Sequence, residues 1–166
     1  MAKIKDTIVI ALVAMFSSLS AVLTYFTHIP SPTGGYTHIG DTAIYIAAML
    51  FGTRVGALVG IIGPLVTDLV VGYPRWYVTV LAHGLQGLIA GFGFKKKTWL
   101  QVTLALAAGL AMSLTYFTVN IYVKGWAPAL LSFLRDFFGQ TLISVILSIP
   151  VVKTIEKIGI QEKIIK

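Results

Sequence analysis

Long apolar runs separated by short polar breaks make up this chain, and the lengths of the runs are its first structural statement. An apolar run of roughly 20 residues crosses a ~30 Å hydrocarbon core as a helix. Runs of that kind predict helices over 7–26, 55–72, 76–94, 99–123 and 128–152. A shorter run, 41–53, opens at Asp41, an acid suited to a helix N-terminus. It spans at that length if the loop before it dips inward against protein rather than lipid. That loop, "THIPSPTGGYTHIG", ends the first helix through Pro30, Pro32, Gly34 and Gly35. The expectation is an all-α membrane protein, one domain over 1–166 with six transmembrane helices and a basic, partly amphipathic tail.

Composition supports lipid as the solvent. The chain is 57% hydrophobic and 11% charged, with a mean hydropathy of +0.87, whereas a soluble domain carries roughly 25% charged residues. The formal charge of +7 raises nucleic acid as a partner. The basic residues, however, flank apolar runs as membrane anchors do and form no stripe interleaved with aromatics. No nucleic-acid partner is expected. The absence of cysteine excludes a disulfide framework, a thiol nucleophile and a thiolate metal site. Lys3 and Lys5 before an apolar run imitate a signal peptide, but the run continues to Phe26, too far for an ordinary signal core.

Six spans place both termini on one side. Lys3, Lys5, Arg54, Lys95, Lys96, Lys97, Lys153, Lys157, Lys163 and Lys166 then share that side, ten of the thirteen basic residues, against Arg75, Lys124 and Arg135 opposite. The positive-inside rule makes the terminal side cytoplasmic, so "GGYTHIGDT", 34–42, faces outward. Small residues recur every four positions at Gly52, Gly56 and Gly60, and again at Ala105, Gly109 and Ser113. Such faces let membrane helices approach closely.

The polar side chains of the spans gather at one depth. Asp41, Asp68, His83, Gln86, Tyr116, Asn120, Arg135, Asp136 and Gln140 all fall in the outer half. The inner halves carry hydroxyls, glycines and apolar groups. Intramembrane polar residues face a partner or a cavity, and a transport path would need them at several depths. The pattern describes an outward-opening ligand cup, sealed below and capped by the first outer loop with its Tyr36 and His38. Tyr36, Tyr73, Trp76, Tyr77, Tyr116, Tyr122 and Trp126 surround the same level, where an interfacial aromatic belt is the competing explanation. Likewise, His83 fits a satisfied buried histidine as well as a ligand. Arg135 and Asp136 are adjacent, about 100° apart on an α-helix, and so poorly placed to pair. A self-sufficient carrier or channel is the alternative reading, but no inverted repeat is evident. Enzyme signatures are missing too: HExxH, GxSxG and the phosphate loop GxxxxGK[ST] are absent.

Residues 34–92, "GGYTHIGDTAIYIAAMLFGTRVGALVGIIGPLVTDLVVGYPRWYVTVLAHGLQGLIAGF", resemble the substrate-binding S components of energy-coupling factor (ECF) vitamin transporters. The Gly-Asp entry to the second helix, "LFGTRVGALVG" and the "DLVVGYPRW" turn carry the resemblance; the remainder matches in hydropathy. It implies a prokaryotic plasma-membrane protein that captures a scarce vitamin or precursor for ATP-driven uptake. The partners implied are a membrane coupling subunit and two ABC ATPases, which would hydrolyse the ATP. The first outer loop would be the lid, and the outer ends of helices four to six the site. Within that frame the ligand-binding set is Tyr36, His38, Asp41, Asp68, Trp76, His83, Gln86, Tyr116, Asn120, Arg135, Asp136 and Gln140. The family's Ala-xxx-Ala docking pattern on helix one has its nearest equivalents in Ala14-xxx-Ser18 and Ser17-xxx-Ala21. No cofactor and no metal are expected. The branch resembled takes pyrimidine or pyridine compounds such as hydroxymethylpyrimidine and pyridoxine, or riboflavin.

Overall fold

Glycines and polar breaks divide the chain into α1 (Asp6–Thr27), β1 (Ile29–Pro30), β2 (Tyr36–Thr37), α2 (Asp41–Phe51), α3 (Thr53–Val71), α4 (Trp76–Gly91), α5 (Thr98–Lys124), α6 (Trp126–Leu134), a π-helical segment (Arg135–Thr141), α7 (Leu142–Ile158) and α8 (Ile160–Ile165). The computed structural model describes residues 5–165. Lys3 and Lys166, both assigned above to the terminal side, lie outside the described residues. Among the described residues four helical segments are long and apolar enough to cross a membrane: α1, α3, α5, and α6 through α7 as one continuous helix of 33 residues. The expected fourth span ends earlier, leaving α4 with 16 residues. The expected second span is the 11-residue α2.

α2 explains its own position. Apart from its first turn and the Tyr45 hydroxyl it has no polar face, and a helix apolar all round has to be buried all round. Every one of its residues is buried, with α1, α3, α4 and α7 packed around it. Gly52 ends it with a backbone φ of +90°, a conformation only glycine adopts cheaply. α3 can therefore start at the next residue with no loop between.

The α3–α4 contact is the most extensive in the bundle, and small residues on both helices allow it. A Cβ at Gly60 would fall on the His83 carbonyl, and one at Gly87 on the Gly56 carbonyl. The close approach fixes the height of His83 relative to α3. On α5, Gly109 similarly leaves room for the Thr141 side chain of the π segment.

The segment between α1 and α2, expected as irregular, contains a small antiparallel hairpin in which Ile29 pairs with Thr37 and Pro30 with Tyr36. It sits across one end of the bundle, held by bonds from Lys124 Nζ to the Gly34 carbonyl (2.9 Å) and between the Thr33 and Ser132 hydroxyls (3.0 Å). At the opposite end Arg54 reaches Asp6 (2.6 Å), and the buried Gln161 of α8 donates to the Leu50 carbonyl of α2 (2.6 Å). Gln101 there is buried and donates to Glu156, which also pairs with Lys153. This amide sits in the half expected to hold only hydroxyls, glycines and apolar groups. Its partner lies beyond the expected end of the sixth span, which is why the pairing is not evident from the span pattern.

Candidate ligand-binding site

Beneath the hairpin lies a pocket of about 440 Å³, mouth included. Tyr36 and His38 reach it from the hairpin segment and Asp68 from α3. His83 comes from α4, Tyr116 and Asn120 from α5, and Arg135, Asp136 and Gln140 from the π segment. Asp41 and Gln86, also named from sequence, do not line it; they form a fully buried layer directly behind. Trp76 is 45% exposed and lies edge-on to Tyr77 outside the pocket, as a belt aromatic would. Tyr73, Thr79, Met112, Pro64 and Lys124 also line the cavity and were missing from the set. Tyr73 carried a signal in the aromatic cluster, whereas Lys124 read only as a flanking charge.

Asp41 is the hub of the buried layer. Its Oδ2 accepts the side-chain amides of Gln86 and Gln140, each at 2.9 Å. The same Gln86 nitrogen donates to the Tyr45 hydroxyl (2.9 Å), and the Gln86 carbonyl oxygen lies 2.8 Å from His83 Nδ1. His38 Nδ1 accepts the Gly40 backbone N–H at 3.1 Å. Elements distant in sequence are thus tied at one point: the start of α2, mid-α4 and the π segment. Asp41 Oδ1, by contrast, makes no hydrogen bond, although His83 Nδ1 is 3.4 Å and His38 Nδ1 3.9 Å away.

Around the pocket the charged groups are partly spent. The Tyr36 hydroxyl donates to Asp68 Oδ1, leaving Asp68 Oδ2 buried without a partner. Burial, reinforced by the Asp68 carboxylate, raises the Tyr36 phenol far above its ordinary range and keeps it a donor. Burial likewise lowers the His38 imidazole to about 4, against the pull of Asp41, so this ring is neutral near pH 7. Tyr73 is raised by burial, with Arg75 opposing. Tyr116 donates to Thr79 (2.6 Å). Arg135 and Asp136 do pair, through Nε (2.9 Å) and Nη2 (2.6 Å) to one carboxylate oxygen, contrary to the α-helical expectation. The π segment has a wider turn, with i→i+5 bonding, so successive side chains diverge less. The long arginine then folds back onto its neighbour, leaving Arg135 Nη1 buried and unpartnered.

His38, Asp41 and His83 bring ligand atoms within 4.8 Å of one another, a spacing that draws attention as a metal cluster. The Nδ1 atoms of both rings are already engaged by Gly40 and Gln86, while Asp41 Oδ1 has no hydrogen-bond partner. On α1, Ala14 and Ser18 are exposed, while Ser17 is buried near Gly63 and the Ala21 carbonyl accepts the Thr67 hydroxyl. Of the two small-residue pairs, only Ala14-xxx-Ser18 faces outward from the bundle.

A helical bundle with a long apolar exterior and a polar pocket under a hairpin fits a multi-pass membrane protein. Residues 3–157 match the family model for the S component of ECF-type riboflavin transporters. The chain belongs to that family, one of transporter components and not of enzymes. It is 31% identical over 154 residues, covering 91% of this chain and 89% of the relative, to the thiamine precursor transporter HmpT of Lactococcus lactis. It is 35% identical over 120 residues, 69% of this chain and 80% of the relative, to a protein of Pyrococcus woesei described only by its gene position.

Proposed function

We propose that this chain is the high-affinity capture subunit of an ECF-type importer in a prokaryotic plasma membrane. In this reading six segments cross the membrane, with α2 and α4 completed by protein rather than lipid neighbours. Both termini face the cytoplasm, and the hairpin faces outward as a lid. The ligand is a small water-soluble vitamin or vitamin precursor: a pyrimidine or pyridine compound such as hydroxymethylpyrimidine or pyridoxine, or riboflavin. The name of the Lactococcus relative favours the pyrimidine end of this range. Uptake is driven by ATP hydrolysed in two separate ABC ATPases joined through a membrane coupling subunit, and the exposed Ala14-xxx-Ser18 face is the docking surface.

One observation carries this reading: the buried polar atoms without partners that carry charge, on Asp41, Asp68 and Arg135, all lie in or against one pocket. The wholly buried, largely apolar α2 begins at Asp41, behind His83, which supports a binding cup more than a through-path. The purified protein in proteoliposomes should bind ligand yet accumulate it only when the coupling subunit and ATPases are added with ATP. Accumulation by this chain alone, without ATP, would establish the carrier alternative instead. Mass spectrometry of the small molecule that co-purifies in detergent identifies the ligand.

A further inference from the structure

As neutral rings, the two histidines of the pocket are held by their hydrogen bonds in opposite tautomers. A neutral imidazole has one N–H donor and one acceptor nitrogen, and the bond made by one fixes the role of the other. At His38 the Gly40 backbone N–H points at Nδ1, so Nδ1 is the acceptor and the proton is on Nε2. At His83 the chain of reasoning starts from Asp41. Its carboxylate only accepts, so the Gln86 nitrogen faces Asp41 and the Gln86 oxygen faces His83. His83 Nδ1 must then be the donor, which leaves Nε2 as a bare acceptor. Asp41 Oδ1, 3.4 Å from the same Nδ1, favours a proton there as well.

Both Nε2 atoms lie across their rings from these anchored edges, and among the described residues no hydrogen bond reaches either one. The two rings line the same pocket with centroids 6.0 Å apart and planes 38° from parallel. The pocket thus offers one imidazole donor beside one imidazole acceptor. Two further unspent atoms repeat the pattern: Arg135 Nη1 is a donor and Asp68 Oδ2 an acceptor, both buried. Asp68 and Asp136 face Arg135 and Lys124 around the cavity, and the Asp41 carboxylate lies behind His83, so a strongly anionic ligand is not matched.

We infer that His38 and His83 read a neutral amino-heterocycle, in which a ring nitrogen accepts from His38 Nε2 and the adjacent exocyclic amino group donates to His83 Nε2. The second amino hydrogen is available to Asp68 Oδ2, and a further ring nitrogen or hydroxyl to Arg135 Nη1. Asp41, Gln86 and the Gly40 N–H are positioning groups that set the two tautomers. A ring carrying an oxo group in place of the amino group inverts the pattern, since its ring nitrogen becomes the donor and its oxygen the acceptor. Turning that ring over would restore the match only by carrying its other substituents to the wrong sides. This inference rests on the capture reading above and narrows it to aminopyrimidines over pyridinols and flavins.

The test uses the full-length protein in detergent and four probes: hydroxymethylpyrimidine with its ring amino group, its oxo counterpart, pyridoxine and riboflavin. The amino compound should bind at least about 100-fold more tightly than the oxo compound, the scale on which sites built around a hydrogen-bond pattern reject its reversal. Nitrogen NMR of labelled histidines should show His83 protonated at Nδ1 and His38 at Nε2. In Gln86→Leu, His83 should lose its fixed tautomer while His38 keeps its own, and the amino-to-oxo preference should shrink to below about tenfold. Equal binding of the two pyrimidines, or the same tautomer at both histidines, overturns the inference even if Gln86→Leu does not fold. Binding of pyridoxine or riboflavin without the pyrimidines overturns it while leaving the capture reading intact. Failure of all four probes removes the capture reading together with the inference.

Discussion

The two ends of this bundle both bury amide side chains, and they use them differently. At the end opposite the hairpin, Gln161 donates to the Leu50 carbonyl of α2 and Gln101 to Glu156. Those bonds tie helix ends together, and the charges there, Arg54 with Asp6 and Lys153 with Glu156, are paired side chain to side chain. Under the hairpin, Gln86 and Gln140 converge on Asp41. His38 and His83 line the pocket with no hydrogen bond at Nε2 among the described residues, and Asp41 Oδ1, Asp68 Oδ2 and Arg135 Nη1 are buried without one. Desolvating such atoms is expensive unless something completes them. Gln101 Oε1 is also buried without a partner at the first end, so neither end is a fully completed network. Among the described residues, what separates the pocket is that its unpartnered buried atoms belong to charged groups, Asp41, Asp68 and Arg135.

Four substitutions press on that contrast. The largest effect is expected from Asp41→Asn, which turns one acceptor of two amides into a group with its own donors. Losing hydrogen bonds to a charged acceptor costs about 1.5–3 kcal/mol. Affinity for the co-purifying ligand should therefore fall on the order of 10- to 150-fold in titration calorimetry, and the melting temperature should fall as well. Gln101→Leu at the other end should leave affinity unchanged. If the two variants weaken binding alike, the ends are not functionally distinct.

A second test uses pH. His38 is held near 4 in the folded protein, against 6.5 for the free side chain. Between these values the unfolded chain takes up a proton that the folded one refuses, so stability is lost as pH falls from about 6.5 to about 4. Above that window the histidine is neutral in both states and contributes no pH dependence. Asp41, His83, Arg135 and His28 all act on this imidazole, so the informative quantity is the difference between wild type and His38→Asn, which keeps an acceptor near the Nδ1 position. Thermal melts in detergent should show a shallower acid loss in the variant. Parallel curves would show that the His38 pocket does not hold the ring neutral.

The smallest effect belongs to Gln161→Ala. Removing its bond to the Leu50 carbonyl should lower stability by about 0.5–1.5 kcal/mol, with ligand affinity within roughly twofold of wild type because the pocket is at the other end. A large loss of affinity would mean that α8 communicates with the cup through α2.

Much of this arrangement is written in local pattern. Run length and hydropathy are summed over neighbours in sequence, so they mark the apolar helices and the breaks between them without reference to packing. Clustering polar residues by depth along those runs selects nine, of which Asp68, His83, Tyr116, Asn120, Arg135, Asp136 and Gln140 line the pocket, while Asp41 and Gln86 do not. Glycine spacing at Gly56 and Gly60 indicates a close helix contact because only a missing side chain permits one. What local pattern does not carry is direction and pairing. Trp76 and Tyr73 are alike as aromatics near one level, yet one faces outward and the other inward, because a helix end and a turn point them apart. Arg135 and Asp136 pair in a π-helical segment, a backbone geometry that the apolar periodicity does not mark. The opposite tautomers of His38 and His83 depend on a backbone N–H and on an amide oriented by a carboxylate 45 residues away. Hydrogen-bond roles belong to pairs of atoms, and these pairs exist only once α2, α4 and the π segment have been packed against one another.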